Sequence, residues 1–187
     1  RDDAMNAAGH YPIGRPGIAW GAAEKAQWRA RQQRQRSYAE EVVAKIDSLR
    51  DRFDVEAYGA LDYAPDGHYP LHAIRSRHWD AALPVALVTG GVHGYETSGV
   101  HGALQFIEQH AAACAGRVNL LVAPCVSPWA YERINRWNPD ALDPNRNFVA
   151  DSPAGESAAL LALIAPSLGR FIVHIDLHET TDSDESE

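Results

Sequence analysis

Three continuous apolar runs, separated by segments with helical periodicity, constrain the fold more than any other feature of this sequence. The runs are PVALVT at 84–89, VNLLVA at 118–123 and FIVHIDL at 171–177. A strand that is apolar along its whole length is typical of a sheet that is buried on both faces. The intervening helical patterns, at about 96–113 and 153–168, therefore predict an α/β sandwich around a mostly parallel sheet.

The first part of the chain adds a helix and two shorter strands to this plan. Apolar residues recur at three- to four-residue spacing over about 22–52, and Ser37 with Glu40 forms a capping box within that pattern. Two short β-patterns, at 55–61 and 69–74, flank a Pro-Asp-Gly turn and predict a pair of strands. The predicted parts are an N-terminal arm with helices at 1–53, irregular over its first 20 residues, and the N-terminal part of an α/β domain at 54–187.

Charge and composition exclude several classes of partner. The net charge is -8, which disfavours a nucleic acid, and the basic cluster at 29–36 is interpreted as the solvated face of a helix. No apolar run reaches the roughly 18 residues that span a bilayer, so we expect no membrane partner. Cys114 and Cys125 are too few for a disulfide framework, and two free thiols favour a reducing, cytoplasmic location.

A His-x-x-Glu pair follows the first buried strand directly. His93 and Glu96 are three residues apart, so in a turn or a first helical turn they project to one side. An imidazole nitrogen and a carboxylate oxygen suit zinc, and two histidines with one glutamate leave a fourth position open for water. A solvated histidine beside a helix N-terminal glutamate has the same spacing, so the pair alone does not define a metal site.

Another histidine stands at the end of the third apolar run. His178 closes the segment His174-Ile-Asp176-Leu-His178, in which alternate residues share one face of a strand. In open α/β sheets, ligands bind at the carboxyl ends of the strands. His178 is therefore a third candidate ligand at the edge where His93 and Glu96 lie. His174 is interpreted as a core histidine with a satisfied hydrogen bond. Asp176 is interpreted as a carboxylate that supports a metal ligand or the structure, rather than as a ligand itself.

The polar loop at 126–150 carries a candidate anion site. Asn145 and Arg146 are adjacent, and an arginine fork pairs with a carboxylate through two hydrogen bonds while an amide adds a donor. Arg133 and Arg136, further upstream, are candidates for holding a polarised carbonyl oxygen. Structural pairs with nearby acidic residues explain these two arginines equally well; the candidates are Glu132, Asp140 and Asp143.

Together these segments resemble the zinc carboxypeptidases of the carboxypeptidase A superfamily, which includes the aspartoacylase and succinylglutamate desuccinylase branch. The matching pieces are HGYE at 93–96, DPNRNF at 143–148 and DLH at 176–178, in the family's order, over about half of the chain. The resemblance implies a three-layer α/β sandwich with a mixed, mostly parallel sheet, here incomplete at its C-terminus. It implies one zinc ion per chain, with three ligands: His93, Glu96 and His178.

The resemblance also implies roles for the polar loop. Asn145 and Arg146 would bind a substrate carboxylate, and Arg136, in preference to Arg133, would hold the carbonyl oxygen. The expected activity is that of a zinc metallocarboxypeptidase, which hydrolyses the C-terminal amide bond of a peptide. Because the family's catalytic glutamate lies well downstream of the third ligand, we expect it beyond residue 187.

Two other functions stay open at this point. The compact spacing between His93 and His178 favours an N-acyl amino acid amidohydrolase of the aspartoacylase kind, whereas the sequence Asn-Arg-Asn-Phe favours the peptidases. A fragment that lacks its general base would be a metal- and carboxylate-binding module without turnover. In every case the expected partner is a peptide or an N-acyl amino acid with a free carboxylate.

Overall fold

The computed structural model describes residues 12–180, which form a five-stranded sheet with helices on both faces. The strands are β1 (Phe53–Asp62), β2 (His68–Ser76), β3 (Val85–Gly90), β4 (Asn119–Ala123) and β5 (Phe171–Leu177). The helices are α1 (Ala22–Arg31), α2 (a π-helical turn, Ala39–Val43, followed by Ala44–Asp47), α3 (Thr97–Cys114), α4 (Pro128–Arg133) and α5 (Gly155–Ile164). Single 3-10 turns lie at Pro144–Arg146 and Ala165–Ser167. The start of the predicted irregular arm, 1–11, lies outside the described residues.

The sheet is mixed, with strand order β1-β2-β4-β3-β5. β1 and β2 form an antiparallel hairpin, and β2 also pairs antiparallel with β4. β3 pairs parallel with β4 on one side and with β5 on the other. The short Pro-Asp-Gly turn allows only an antiparallel hairpin, while α3 provides the longer crossover that parallel neighbours need. The predicted mixed α/β sheet is confirmed.

Alternate residues of the central strands point into two separate cores, as the geometry of a strand requires. On one face, Val88 and Leu120 pack with α3, through Val100 and Ile107 among others. On the opposite face, Leu87 and Leu121 of the same strands pack with Leu160 of α5. Helix, sheet and helix therefore form the three predicted layers, and the carboxyl ends of β3 and β5 lie side by side.

The helix predicted over 22–52 is divided by an irregular linker. α1 ends at Arg31, and α2 follows the predicted cap: Ser37 Oγ accepts a hydrogen bond from the Glu40 amide at 3.1 Å. The interpretation of the basic cluster as a solvated helix face holds for Arg31, which is exposed on α1, and fails for Arg36. Arg36 lies in the linker, and its guanidinium donates to backbone carbonyls elsewhere in the fold. These buried carbonyls need donors, so the Arg36 side chain turns inward rather than to solvent.

β5 differs from the other two apolar runs. β3 and β4 are buried along their whole length, whereas β5 exposes Ile172 (63%) and Ile175 (47%). The prediction that this run is buried on both faces is therefore wrong for the described part of the chain. The reason is its place at the end of the sheet, where β3 is its one paired strand among residues 12–180.

Among the helices that the structure describes, none has the length and apolar character needed to cross a membrane. The division of the chain into 1–53 and 54–187, and the cytoplasmic location, stay predictions.

Candidate metal centre and carboxylate site

Three candidate ligands converge at the carboxyl ends of β3 and β5. His93 follows β3, Glu96 immediately precedes α3, and His178 follows β5. The Nδ1 atoms of His93 and His178 lie 2.8 Å from Oε1 and from Oε2 of Glu96, respectively. One ligand atom from each of the three residues lies within 4.8 Å of the others. A single divalent ion placed between them could contact all three.

Each imidazole also has a carboxylate on its other nitrogen. His93 Nε2 lies 2.9 Å from Asp143 Oδ1, and His178 Nε2 lies 2.7 Å from Asp176 Oδ2. Both nitrogens of each ring thus face a carboxylate, which only accepts hydrogen bonds: Glu96 lies on the Nδ1 side and an aspartate on the Nε2 side. Positive charge on the rings or on a metal ion balances these carboxylates. The donor set fits a metal ion held by both Nδ1 atoms and Glu96, because the two aspartates would then accept the Nε2 protons and orient the rings.

The electrostatics of the cluster reflect the same excess of acceptors. Burial alone lowers the pKa of His93, but hydrogen bonds to Glu96 and Asp143 outweigh burial, and the pKa is raised above its ordinary value. Burial alone raises the pKa of Asp143, but hydrogen bonds from His93 and Arg136 outweigh it, and that pKa is lowered. The cluster thus stabilises positive charge between its carboxylates, which is the field that a cation site requires.

Glycines explain how the loop after β3 presents its two ligands. Gly91 has φ +63°, a left-handed conformation that other residues rarely adopt. Gly94 lies so close to α4 that a Cβ there would come within 2.0 Å of the carbonyl carbon of Ala130. The neighbouring Tyr95 amide donates to the carbonyl of Asn135 at 3.0 Å. The loop is therefore pressed against α4 and its C-terminal extension, which fixes its path between the two ligands.

A buried threonine that the sequence analysis missed positions the aspartate beside His178. Thr89 Oγ1 donates to Asp176 Oδ1 at 2.7 Å and lies 2.8 Å from His174 Nε2. Because a hydroxyl carries one hydrogen, His174 must be the donor in its contact with Thr89. His174 lies on the exposed face of β5 and is not a core histidine, although its ring is hydrogen-bonded. The signal for Thr89 was a single polar residue in an otherwise apolar run.

The proposed carboxylate binders lie on a turn that is tied to the histidine cluster. The Asn145 amide donates to Asp143 Oδ1 at 2.9 Å, the oxygen that also faces His93. On its other side the turn accepts a hydrogen bond from Ser157 Oγ at its proline carbonyl, at 2.7 Å. Asn145 and Arg146 are exposed, and within residues 12–180 neither side chain has a hydrogen bond or an ion pair. Both side chains carry hydrogen-bond donors, which suit an anion.

The structure separates the two candidate arginines. Arg136 Nε donates to Asp143 Oδ2 at 3.1 Å, which places this guanidinium beside the histidine cluster. Arg133 is buried, with Nη1 3.1 Å from the Tyr69 hydroxyl and its guanidinium carbon 4.5 Å from the ring centre of Trp129. The structure thus brings Arg136, and not Arg133, to the candidate metal ligands. The position of Arg133 matches the alternative of a structural arginine.

Solved structures of other proteins share this fold. No protein-family model and no curated protein matches the sequence. A candidate metallopeptidase from Shewanella amazonensis SB2B has a TM-score of 0.64 and 26% identity, over 75% of this chain and 55% of that one. A candidate metallopeptidase from Shewanella denitrificans OS217 has a TM-score of 0.63 and 25% identity, over 75% and 53%. A metallo-carboxypeptidase from Burkholderia cenocepacia has a TM-score of 0.62 and 18% identity, over 75% and 40%.

These similarities confirm the resemblance at the level of the fold. The chain spans about half the length of the two Shewanella proteins, so the similarity concerns one part of each. The described residues have the zinc carboxypeptidase fold, and their neighbours among solved structures are metallopeptidases and metallo-carboxypeptidases.

Proposed function

We propose that the protein is a zinc-dependent metallocarboxypeptidase that hydrolyses the C-terminal amide bond of peptides. The observation that carries this proposal is the convergence of His93, Glu96 and His178 at one point. Beside it lies an anchored turn with two exposed polar side chains, Asn145 and Arg146. Two histidines and one glutamate are a ligand set of catalytic zinc hydrolases. The metallo-carboxypeptidase of the same fold supports this assignment over other zinc chemistry.

Bound zinc would supply Lewis acidity and a water of lowered pKa at this position. His93, Glu96 and His178 would hold one ion per chain. With an ion bound, Asp143 and Asp176 would accept the Nε2 protons of the two imidazoles and leave both Nδ1 atoms as ligands. Because His93 and Glu96 are buried, solvent screens their interaction with a cation only weakly.

The polar turn positions the substrate. Arg146 and Asn145 bind the free carboxylate of a peptide, the arginine through two parallel hydrogen bonds. Since the turn is fixed to Asp143, the bound carboxylate sets which amide bond lies at the metal centre. Arg136, which also contacts Asp143, holds the carbonyl oxygen as negative charge develops on it.

Proton transfer from water to the leaving amine needs a further base. Around the cluster, the carboxylates that the structure describes already have partners. Asp143 and Asp176 face histidines, and Glu179 accepts hydrogen bonds from the amide and hydroxyl of Ser98. We therefore place the general base outside residues 12–180, in agreement with the glutamate that the resemblance implies.

Metal analysis tests the ligand set. The wild-type protein is expected to retain about one zinc per chain after dialysis, and His93→Ala to lose it, because the variant lacks one of three protein ligands. Arg146→Ala is the matched control and should keep its zinc, since within residues 12–180 no hydrogen bond or ion pair joins its side chain to the cluster. Equal zinc in wild type and His93→Ala would remove His93 from the ligand set.

A substrate series tests the reaction. Peptides with a blocked N-terminus and a free C-terminus are compared with the same peptides amidated at the C-terminus, and with acetyl- and succinyl-amino acids. Release of the last residue from the free acids alone supports the carboxypeptidase. Preferential hydrolysis of the acylated amino acids would favour the aspartoacylase-like alternative. Zinc and carboxylate binding without hydrolysis of any substrate would favour the non-catalytic module.

A further inference from the structure

An arginine in the N-terminal linker contacts the loop that carries two of the proposed metal ligands. All three nitrogens of the Arg36 guanidinium donate a hydrogen bond. Nε donates to the Tyr131 carbonyl at 2.6 Å, Nη1 to the Thr97 hydroxyl at 2.7 Å and Nη2 to the Gly94 carbonyl at 2.8 Å. The guanidinium carbon also lies 3.6 Å from the ring centre of Tyr131. The hydrogen bonds thus fix the guanidinium within its plane, and the tyrosine ring packs on one of its faces.

Two of these acceptors lie on either side of Glu96. Gly94 directly follows His93, and Thr97 directly follows Glu96 and begins α3. The guanidinium is planar and rigid, so bonding both residues at once fixes the distance between their acceptor oxygens. Arg36 therefore restrains the segment that sets the position of the Glu96 carboxylate relative to the His93 ring.

The linker is itself anchored to α4. The amides of Gln35 and Arg36 donate to the Glu132 carbonyl at 2.7 Å and 3.2 Å, and Gln35 Nε2 donates to the Arg133 carbonyl at 3.0 Å. These carbonyls lie in the last turn of α4, where backbone acceptors have no partner inside the helix. Since α4 also contacts Gly94 directly, the loop contacts both α4 and a side chain that α4 holds in place.

We propose that Arg36 is a positioning residue for the metal centre. It holds the loop from His93 to Glu96 against α4, in the conformation in which the ligand atoms of both residues face one ion. The proposal rests on the metal binding proposed above and adds a residue that precedes the ligands by some sixty positions. A loop freed from this contact spends less time in the binding conformation, and the metal affinity falls in proportion.

Arg29 offers a matched control in the same part of the chain. Its guanidinium also makes three hydrogen bonds: Nε to Asp66 Oδ2 at 2.8 Å, and Nη2 to the carbonyls of Tyr63 at 2.7 Å and Ala64 at 3.0 Å. These acceptors lie between β1 and β2, and none belongs to the metal loop. Arg29→Ala therefore removes a similar number of hydrogen bonds without touching the loop.

The experiment measures the zinc dissociation constant of the wild type, Arg36→Lys, Arg36→Ala and Arg29→Ala by competition with a chromophoric chelator. We expect Arg36→Ala to raise it about 10- to 100-fold, in the range of other residues that orient metal ligands. Arg36→Lys should raise it less, and Arg29→Ala by less than about threefold. Urea unfolding of the metal-free proteins should show similar losses of stability for both alanine variants.

Each outcome decides the proposal. Zinc dissociation constants that are equal in the wild type and both Arg36 variants, or that rise as much in Arg29→Ala, would overturn it. A wild-type protein without zinc would overturn the proposed function and, with it, the premise of this inference. If Arg36→Ala does not fold, hydrogen exchange of metal-free Arg36→Lys decides. The amides of residues 94–97 should exchange faster than in wild type, and unchanged exchange there would contradict the restraint.

Discussion

The two sides of the candidate site differ in how completely the protein satisfies their polar groups. On the metal side, His93 and Glu96 are 3% and 2% exposed, and both ring nitrogens and both carboxylate oxygens have a partner. On the substrate side, Asn145 and Arg146 are exposed, and their side chains have no partner within the described residues. Asp143 joins the two sides, since it contacts His93, the Asn145 amide and Arg136.

The difference reflects what each side has to bind. A metal ion needs ligand atoms at fixed mutual distances, so its site benefits from buried side chains that are held in place beforehand. A substrate must enter and leave, so its binding groups stay exposed on an anchored turn. We therefore expect changes on the metal side to act on metal affinity and changes on the substrate side to act on substrate affinity alone.

The largest effect should come from Glu96→Gln, which keeps the size of the side chain and removes its charge. Glu96 contacts both histidines, so we expect the zinc dissociation constant to rise more than about 100-fold, above the range for residues that only orient ligands. Equilibrium dialysis with zinc measures it, with Glu179→Gln, an exposed carboxylate on the Ser98 amide, as the control. If Glu96→Gln bound zinc as tightly as the wild type, Glu96 would not be a ligand and the metal would bind at another site.

The next effect compares the aspartates that hold the two histidines. Asp143→Asn should raise the zinc dissociation constant about 10- to 100-fold. Asp176→Asn should have a smaller effect, because the side chain of His178 is 33% exposed whereas that of His93 is 4% exposed. Metal competition assays on both variants provide the measurement. A larger loss of zinc affinity in Asp176→Asn would mean that the orientation of His178 matters more for metal binding than that of His93.

Arg146→Ala tests the substrate side. Loss of a hydrogen-bonded charge pair with the substrate carboxylate costs about 1.5–3 kcal/mol, or roughly 10- to 150-fold in kcat/KM for peptides with a free C-terminus. Zinc content should stay that of the wild type, and an amidated peptide should show no change in rate. An equal loss on free and amidated peptides would mean that Arg146 does not read the carboxylate.

The smallest effect concerns Glu156, the neighbour of the serine that donates to the polar turn, and appears only in the pH dependence of stability. Burial raises the pKa of Glu156 above its ordinary value of 4.5, by more than hydrogen bonds from Asn138 and Tyr63 lower it. Above pH 4.5 the folded state keeps a proton that the unfolded state loses. The free energy of unfolding therefore falls as pH rises toward the folded pKa, by at most about 1.4 kcal/mol per pH unit.

Glu156→Gln should remove that slope, because an amide does not titrate in this range. Urea unfolding of the metal-free wild type and variant at several pH values above 4.5 measures the difference between the two curves. Zinc binding should be unchanged, since Glu156 contacts Asn138 and Tyr63 and neither histidine. Parallel curves for the two proteins would show that Glu156 does not titrate with a raised pKa.

Local sequence patterns predicted the bounds of the strands and helices more accurately than the burial of those elements. The strand expected over 84–89 is Val85–Gly90, and the helix expected over 96–113 is Thr97–Cys114. The apolar run of β5 had the same pattern as that of β3, yet β3 is buried and β5 is an edge strand in the described residues. Periodicity reports a strand and its apolar character, but burial depends on which elements lie beside it.

In the candidate site, too, local sequence identified some residues and missed those whose role depends on distant contacts. His93, Glu96 and His178 were identified because each lies at the end of an apolar run, where the chemistry of the residues and the topology coincide. Arg36 was taken for a solvated arginine, because nothing in its neighbours along the chain indicates the carbonyls that it contacts. Thr89 was passed over for the same reason, since its partner Asp176 belongs to another strand.

The sequence by itself determined the class of fold, the main strands and helices, and the residue types that can hold a metal and a carboxylate. These features depend on contacts between near neighbours and on the periods of helix and strand. The tertiary structure decided that β5 lies beside β3, that Asp143 and Asp176 orient the histidines, and that Arg36 restrains the metal loop. Such contacts join distant parts of the chain, and they follow from the packing of the whole fold rather than from any local pattern.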